Sequence, residues 1–295
     1  MPAYAFETVD VFTDRRFGGN PLAVFTDARG LSDTDMQSLA AEMNLSETTF
    51  VLPPENPAHA ARVRIFNRTA EMPFAGHPNV GTAFVLARQG CGANDTLLFE
   101  EMAGLVEVKV MRDSAGEVAG AVIAAPQALS LGIELPVDGV AACASLTASD
   151  IKASAHRPVQ ASVGVRFVLT EVKADALAGA GPDVAAFRKL EAAHAELEGR
   201  LSLFLYARDG NRIRARMFAP LAGTFEDPAT GSASATTAAL LLSLDGGDKA
   251  EFTLTQGVEM GRPSLLHLAA HRAADGFRAT VGGGCVPVFR GEATV

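Results

Sequence analysis

Two short stretches carry residue types suited to acid–base chemistry on a bound anion. They are Phe74-Ala75-Gly76-His77-Pro78-Asn79-Val80-Gly81 and Asp227-Pro228-Ala229-Thr230-Gly231-Ser232-Ala233. Each sets glycines and small polar residues at the mouth of an apolar, small-residue segment that reads as a helix. A helix start exposes unpaired N–H groups with a partial positive charge, so each mouth suits a carboxylate or a developing oxyanion. Two such mouths facing one cleft would grip one small anion, and chemistry on a small carboxylic acid is the expected business of the chain.

Three side chains stand out as candidate catalysts. Glu47 falls where one helix has ended and the run Thr48-Thr49-Phe50-Val51-Leu52 begins. Its carboxylate is either a general base whose pKa is raised by desolvation or a solvated loop group. His77 precedes Pro78, a residue suited to a first helical turn. Its imidazole either relays a proton to a substrate oxygen or caps the helix. Asp227 leads into the second mouth, where it either stabilises the helix start by roughly 0.3–1 kcal/mol or orients a cationic group while the N–H groups of Gly231 and Ser232 hold an anion.

The elements that must position these residues follow from periodicity. Apolar alternation predicts strands over Tyr4–Val11, Leu22–Phe25, Thr49–Leu52, Ala61–Phe66, Leu97–Glu101, Val106–Met111 and Val118–Ala124. The second half predicts strands over Arg166–Glu171, Leu201–Ala207, Ile213–Phe218, Glu251–Gln256, Ser264–Ala270 and Phe277–Val281. Helices are expected at Ser32–Met43, capped by Ser32, at Pro78–Gln89, at the amphipathic stretch Asp183–Glu198, and at Gly231–Leu244. The second and fourth are nearly uncharged, and a helix apolar on all sides belongs inside something. The expected fold is therefore α+β, with two pseudo-symmetric lobes, each a β-barrel-like sheet around one central apolar helix. The expected boundaries are 1–125, completed by 283–295, and 126–282, with the active site in the cleft between the lobes. Pro126–Gly139 reads as the connector and Gly282-Gly283-Gly284 as a turn.

Composition removes several function classes. With a formal net charge of −9, the 295-residue chain is a poor bulk partner for nucleic acid or an anionic membrane. The N-terminal segment has no basic n-region with an apolar core, and no apolar run nears the roughly 18 residues of a membrane span, so a cytoplasmic protein is expected. Cys91, Cys143 and Cys285 form no CxxC pair and read as reduced, partly buried thiols. His267 and His271 have an HxxxH spacing but no HExxH and no third ligand nearby, so no metal is expected. There is no Walker A sequence, no GxGxxG after the first strand and no GxSxG. No nucleotide, flavin or pyridoxal cofactor is called for, which leaves proton transfer.

Five blocks run through the chain in order: Phe17-Gly18-Gly19-Asn20-Pro21-Leu22-Ala23-Val24-Phe25, Glu42-Met43-Asn44-Leu45-Ser46-Glu47-Thr48-Thr49-Phe50, Pro73-Phe74-Ala75-Gly76-His77-Pro78, Arg216-Met217-Phe218-Ala219-Pro220 with Glu226-Asp227-Pro228-Ala229-Thr230-Gly231-Ser232-Ala233, and Gln256-Gly257-Val258-Glu259-Met260-Gly261-Arg262-Pro263-Ser264. In these blocks the sequence resembles a known family, the phenazine-biosynthesis PhzF-like proteins. The resemblance implies a diaminopimelate epimerase-like fold, usually as a homodimer. It also implies a cofactor-free isomerase similar to the one that converts trans-2,3-dihydro-3-hydroxyanthranilate. By resemblance, Glu47 is the acid/base that takes a proton from ring carbon C3 and returns it at C1, giving an enol that tautomerises to a ketone. His77 and Asp227 match the polar partners of the reaction, and Ser46, Gly76, Gly231 and Ser232 the substrate-binding positions.

Alternatives of the same fold are an amino-acid racemase or epimerase and a non-catalytic small-molecule-binding protein. Relatives that racemise amino acids use two cysteines, whereas Ala75 stands in the first motif and no cysteine lies in the second. Many family members have Thr-Pro after Arg64-Ile65-Phe66, where this chain has Asn67-Arg68-Thr69-Ala70, and Ser234-Ala235 replaces a commoner glycine. Both departures bear on substrate identity, and Arg68 is suited to a carboxylate contact.

Overall fold

The structure, a computed structural model, describes residues 2–92 and 94–295. In chain order the strands are β1 (Ala3–Val11), β2 (Asn20–Phe25), β3 (Glu47–Leu52), β4 (Ala61–Phe66), β5 (Glu71–Met72), β6 (Thr96–Glu101), β7 (Gly104–Arg112), β8 (Val118–Ala124), β9 (Ser130–Glu134), β10 (Val159–Ser162), β11 (Arg166–Glu171), β12 (Leu203–Asp209), β13 (Arg212–Ala219), β14 (Thr224–Asp227), β15 (Lys249–Gln256), β16 (Ser264–Ala273) and β17 (Gly276–Thr294). The helices are α1 (Asp33–Met43), α2 (Gly76–Arg88), α3 (Val137–Cys143), α4 (Ala174–Leu177), α5 (Val184–Ala192) and α6 (Gly231–Asp245). The chain forms two compact units, one holding the residues up to Ala124 and from Gly282 onward, the other Ala125–Val281.

In the first unit a closed eight-strand circuit runs β1–β2–β3–β4–β6–β7–β8–β17 and back to β1. Helix α2 packs against β1, β2, β3, β7 and β8, and every residue from Gly76 to Leu86 is buried. That environment explains its lack of charge, because an ionised side chain there would lose its hydration without a partner. Burial of Val80, Phe84, Val85 and Leu86 contributes roughly 1.5–3 kcal/mol each. Gly81 permits the close approach: a Cβ there would lie 2.6 Å from Leu22 Cδ2 and 2.8 Å from Val11 Cγ2.

The second unit follows the same principle. A sheet ordered β9–β10–β11–β12–β13–β15–β16 packs against α6 through β10, β11, β15 and β16. Helix α6 is buried almost throughout, and its buried hydroxyls are satisfied by carbonyls one turn back along the helix. Ser234 donates to Thr230 O (2.9 Å), Thr236 to Ser232 O (2.8 Å) and Thr237 to Ala233 O (2.8 Å). Polar side chains are therefore tolerated in this core without outside partners.

Helix α1 starts as expected, with Ser32 and Asp35 forming a capping box. Three expectations are corrected. Pro126–Gly139 is no simple connector, since it contains β9 and the start of α3. The exposed sequence of β9 carries little alternation, and the strand exists because Glu134 and Leu131 pair with Val159 and Ala161 of β10. The helix expected over Asp183–Glu198 stops at Ala192. His194 leaves helical geometry (φ −133°) and a 3₁₀ turn over Ala195–Leu197 buries Leu197. Gly282-Gly283-Gly284 is not a turn but lies inside β17. A Cβ on Gly282 would lie 2.5 Å from Val122 Cγ2, and one on Gly284 would lie 2.8 Å from Thr13 O, so these glycines serve close backbone approach.

Candidate active site

In the first unit, three elements bring candidate residues together. Asn20 opens β2, Ser46 and Glu47 lie at the start of β3, and Gly76 and His77 open α2. The parallel pairing of β2 with β3 sets Leu22 opposite Glu47. Ser46 Oγ donates to Asn20 Oδ1 (3.2 Å), which turns the Asn20 amide Nδ2 toward His77 Nδ1 at 3.5 Å. With Nδ1 facing a donor, the imidazole carries its hydrogen on Nε2, and Nε2 stands 3.4 Å from Glu47 Oε2. Burial pushes the His77 pKa down to about 3. The pair is thus a neutral imidazole beside a carboxylate rather than an ion pair. The Glu47 side chain keeps 17% of its surface exposed, enough for a ligand to reach while most of its hydration is removed.

The mouth of α2 is left open. Ala75 supplies no side-chain cap, whereas α1 and α5 are closed by Ser32 and Asp183. Asn79 Nδ2 instead donates to Ala75 O (3.0 Å), bracing the turn from within.

The second unit builds a matching mouth at α6. Thr230 occupies the N-cap without capping, because its Oγ1 donates to Asp227 Oδ2 (2.6 Å). Gln256, at the end of β15, clamps the turn: Nε2 donates to Asp227 O (2.7 Å) and Thr230 Oγ1 (3.0 Å), and Oε1 accepts from Thr230 N (3.1 Å). Gly231 and Ser232 follow as the first helical residues. Ser264 Oγ donates to Pro228 O (2.8 Å). Behind Asp227, Arg216 of β13 makes a bidentate pair with Glu226 (2.8 Å and 2.8 Å) and donates to the carbonyls of Leu177, Ala178 and Ala180. Asp227 is 8% exposed.

Each expected site residue thus lies in one of two constellations, Ser46, Glu47, Gly76 and His77 in the first unit and Asp227, Gly231 and Ser232 in the second. Residue types alone do not mark Asn20, Gln256 or the Arg216–Glu226 pair. The signal in the sequence is their place in the Gly18-Gly19-Asn20-Pro21, Gln256-Gly257 and Arg216-Met217-Phe218 blocks. Cys91 is exposed, whereas Cys143 and Cys285 are buried and their thiols are pushed up, Cys143 to about 12. His267 and His271 are exposed on β16. Arg68 lies in the turn between β4 and β5, where Asn67 Oδ1 accepts from Thr69 N and Ala70 N (2.8 Å each).

The family model for phenazine biosynthesis-like protein matches residues 9–291. The chain belongs to the PhzF family. Among PhzF-like relatives, it is 36% identical to the trans-2,3-dihydro-3-hydroxyanthranilate isomerase of Pseudomonas chlororaphis, over 96% of each chain. It is 38% identical to an uncharacterized isomerase of Mesorhizobium japonicum, over 88% of each. The PhzF-family phenazine biosynthesis protein of Bacillus anthracis superposes with a TM-score of 0.88 at 24% identity, covering all of both chains. The structure of a predicted epimerase from Pseudomonas aeruginosa gives 0.78 at 32% identity over 99% of each chain. A probable proline racemase from Agrobacterium radiobacter shares the fold at a TM-score of 0.65 and 12% identity, over 99% of this chain and 93% of the other. The fold is thus the α+β architecture expected from the two buried helices, and it is consistent with the diaminopimelate epimerase-like fold that the family resemblance implies.

Proposed function

We propose that the chain is a cofactor-independent isomerase that moves a proton between two carbons of a small carboxylic acid, trans-2,3-dihydro-3-hydroxyanthranilate or a close analogue. The observation that carries this reading is the Glu47 carboxylate standing 3.4 Å from an imidazole that burial keeps neutral. A carboxylate takes the proton from one carbon, the electron pair of that C–H bond moves into the ring system, and an enol forms as the other carbon receives the proton back from the Glu47 carboxyl. The His77 Nε2–H is the hydrogen-bond donor that supports the charge developing during transfer. The α6 mouth, with Asp227 and the N–H groups of Gly231 and Ser232, is suited to hold a carboxylate together with an amino or hydroxyl group.

The reading carries a homodimer in the cytoplasm, as the family resemblance implies, and no nucleic-acid partner, in keeping with the net charge of −9. The cysteines support no two-thiol racemisation, since two are buried with raised pKa values and all three fall outside the mouths.

The test is proton NMR in D₂O of the protein with trans-2,3-dihydro-3-hydroxyanthranilate and a panel of amino and hydroxy acids. Glu47→Gln is expected to abolish isomerisation and solvent exchange while keeping ligand affinity. Turnover that survives the change would overturn the assignment of Glu47.

A further inference from the structure

Glu47, His77 and Asn20 come from β3, α2 and β2, and a second polar contact joins the same three elements. Thr49 Oγ1 and Thr82 Oγ1 lie 2.8 Å apart, and both residues are fully buried. Thr49 stands two positions beyond Glu47 on β3, so the two side chains leave the strand on one face. Thr82 stands five positions beyond His77 on α2. The two contacts match in height, since two strand residues advance ~6.6 Å and five helical residues ~7.5 Å.

The direction of the hydroxyl bond follows from its far end. Thr49 Oγ1 also stands 3.4 Å from Ala23 O on β2, and a carbonyl oxygen can only accept. Thr49 therefore donates to Ala23 O, and Thr82 donates to Thr49. The hydroxyls of α6 behave differently: Ser234, Thr236 and Thr237 each turn back to a carbonyl of their own helix. Thr82 Oγ1 reaches across to the sheet instead.

Such a bond adds what apolar packing does not supply. Val80, Phe84, Val85 and Leu86 are buried on α2, and hydrophobic attraction depends on area rather than angle. Gly81 sets how closely the helix approaches Leu22 and Val11. A slip of one residue would turn α2 by about 100° and move it about 1.5 Å along its axis, which would carry His77 away from Glu47. The same slip would strand two hydroxyls away from solvent, the costly outcome for a buried polar group.

We propose that Thr49 and Thr82 are positioning residues for the candidate active site: their hydroxyl–hydroxyl bond fixes the rotation and height of α2 against β3 and thereby holds His77 Nε2 facing the Glu47 carboxylate. The effect on turnover rests on the isomerase reading given above, whereas the effect on the His77–Glu47 pair does not.

Exchange kinetics in D₂O with trans-2,3-dihydro-3-hydroxyanthranilate test the effect on turnover, with urea midpoints measured on the same variants. Thr82→Val keeps the shape of the side chain and removes the donor, so kcat should fall ~10-fold or more with little change in KM. Thr82→Ser keeps the hydroxyl and should restore most of kcat. Thr49→Val with Thr82→Val removes both hydroxyls, so the urea midpoint should return toward the wild type while kcat stays low. A merely structural role would have activity follow stability.

Proton NMR in H₂O tests the pair without substrate. The ring proton on His77 Nε2 is assigned by its loss in His77→Gln. Glu47→Gln should shift this resonance in the wild type and shift it much less in the double valine variant. Equal shifts in the two backgrounds, or a kcat that recovers with stability in the double variant, overturn the proposal. Should Thr82→Val alone fail to fold, the double variant and Thr82→Ser still decide. Should Glu47→Gln remain active, the function proposed above falls while the resonance still decides whether the threonine pair holds His77 at Glu47.

Discussion

His77 Nε2 and Glu47 Oε2 face each other at 3.4 Å, and desolvation keeps the imidazole uncharged. A charged partner would lower the basicity of the carboxylate and spoil it as a proton acceptor. In the proposed reaction a neutral imidazole instead offers one oriented N–H, which supports charge developing on a substrate without neutralising the base in advance. The orientation comes from Asn20 on the far side of the ring.

That dependence is testable at Asn20. Replacing it with Leu removes the donor at Nδ1 and frees the imidazole to exchange tautomers, so kcat should fall ~10–100-fold while KM moves little. Single-turnover exchange in D₂O measures this directly. An unchanged kcat would show that the tautomer is set by something other than Asn20.

Burial of His77 also makes a prediction about acid stability. The folded imidazole titrates at about 3, against about 6.5 in the unfolded chain. As the pH falls, the unfolded state takes up the proton first, so stability is full above about 6.5 and declines below it. The slope from this one group is about 1.4 kcal/mol per pH unit, continuing toward pH 3. Urea midpoints at pH 7, 6 and 5 should show a shallower decline in His77→Gln than in the wild type. Parallel curves would place the acid lability elsewhere.

Gly257 is where the second mouth leans on the β15–β16 connection. Its φ is +73°, and a Cβ would lie 2.6 Å from Pro228 O. Gly257→Ala combines a left-handed conformation costing roughly 1–2 kcal/mol with a clash against the turn that carries Asp227. A loss of about 2–4 kcal/mol by urea denaturation is expected, with weaker ligand binding in what remains folded. A neutral substitution would mean that the Pro228 turn yields freely.

The Arg216–Glu226 pair bears on the same turn from behind. Its side chains are 7% and 13% exposed, so removing one partner strands a charge away from water. Arg216→Met alone should cost about 3–5 kcal/mol, and Arg216→Met with Glu226→Leu should recover part of it. Equal losses in single and double variants would place the stabilisation in the carbonyl contacts of Arg216 instead.

What the sequence determined by itself is local. Uncharged small-residue stretches can be stable helices only in an apolar setting, which announces α2 and α6. Proline in the first turn marks the mouth of α2, glycine at the helix start marks both mouths, and Ser32 with Asp35 caps α1 through bonds spanning three residues. Glu47, His77 and Asp227 stand out as candidates because of their motif neighbours, and their roles come from the family resemblance. What only the tertiary structure decided is pairing between residues distant in sequence. Asn20 meets His77 across 57 positions and Gln256 meets Thr230 across 26. Strand β9 has no pattern of its own and forms because β10 satisfies its backbone, while the glycines of β17 are extended because neighbouring strands press against them. Glu101 makes the same point most sharply, since nothing adjacent in the chain distinguishes it from Glu100. The parity of a paired strand sends one carboxylate to hydrogen-bond donors and the other to the face on which Leu97 and Phe99 are buried, because a side chain's neighbours across a barrel are set by register.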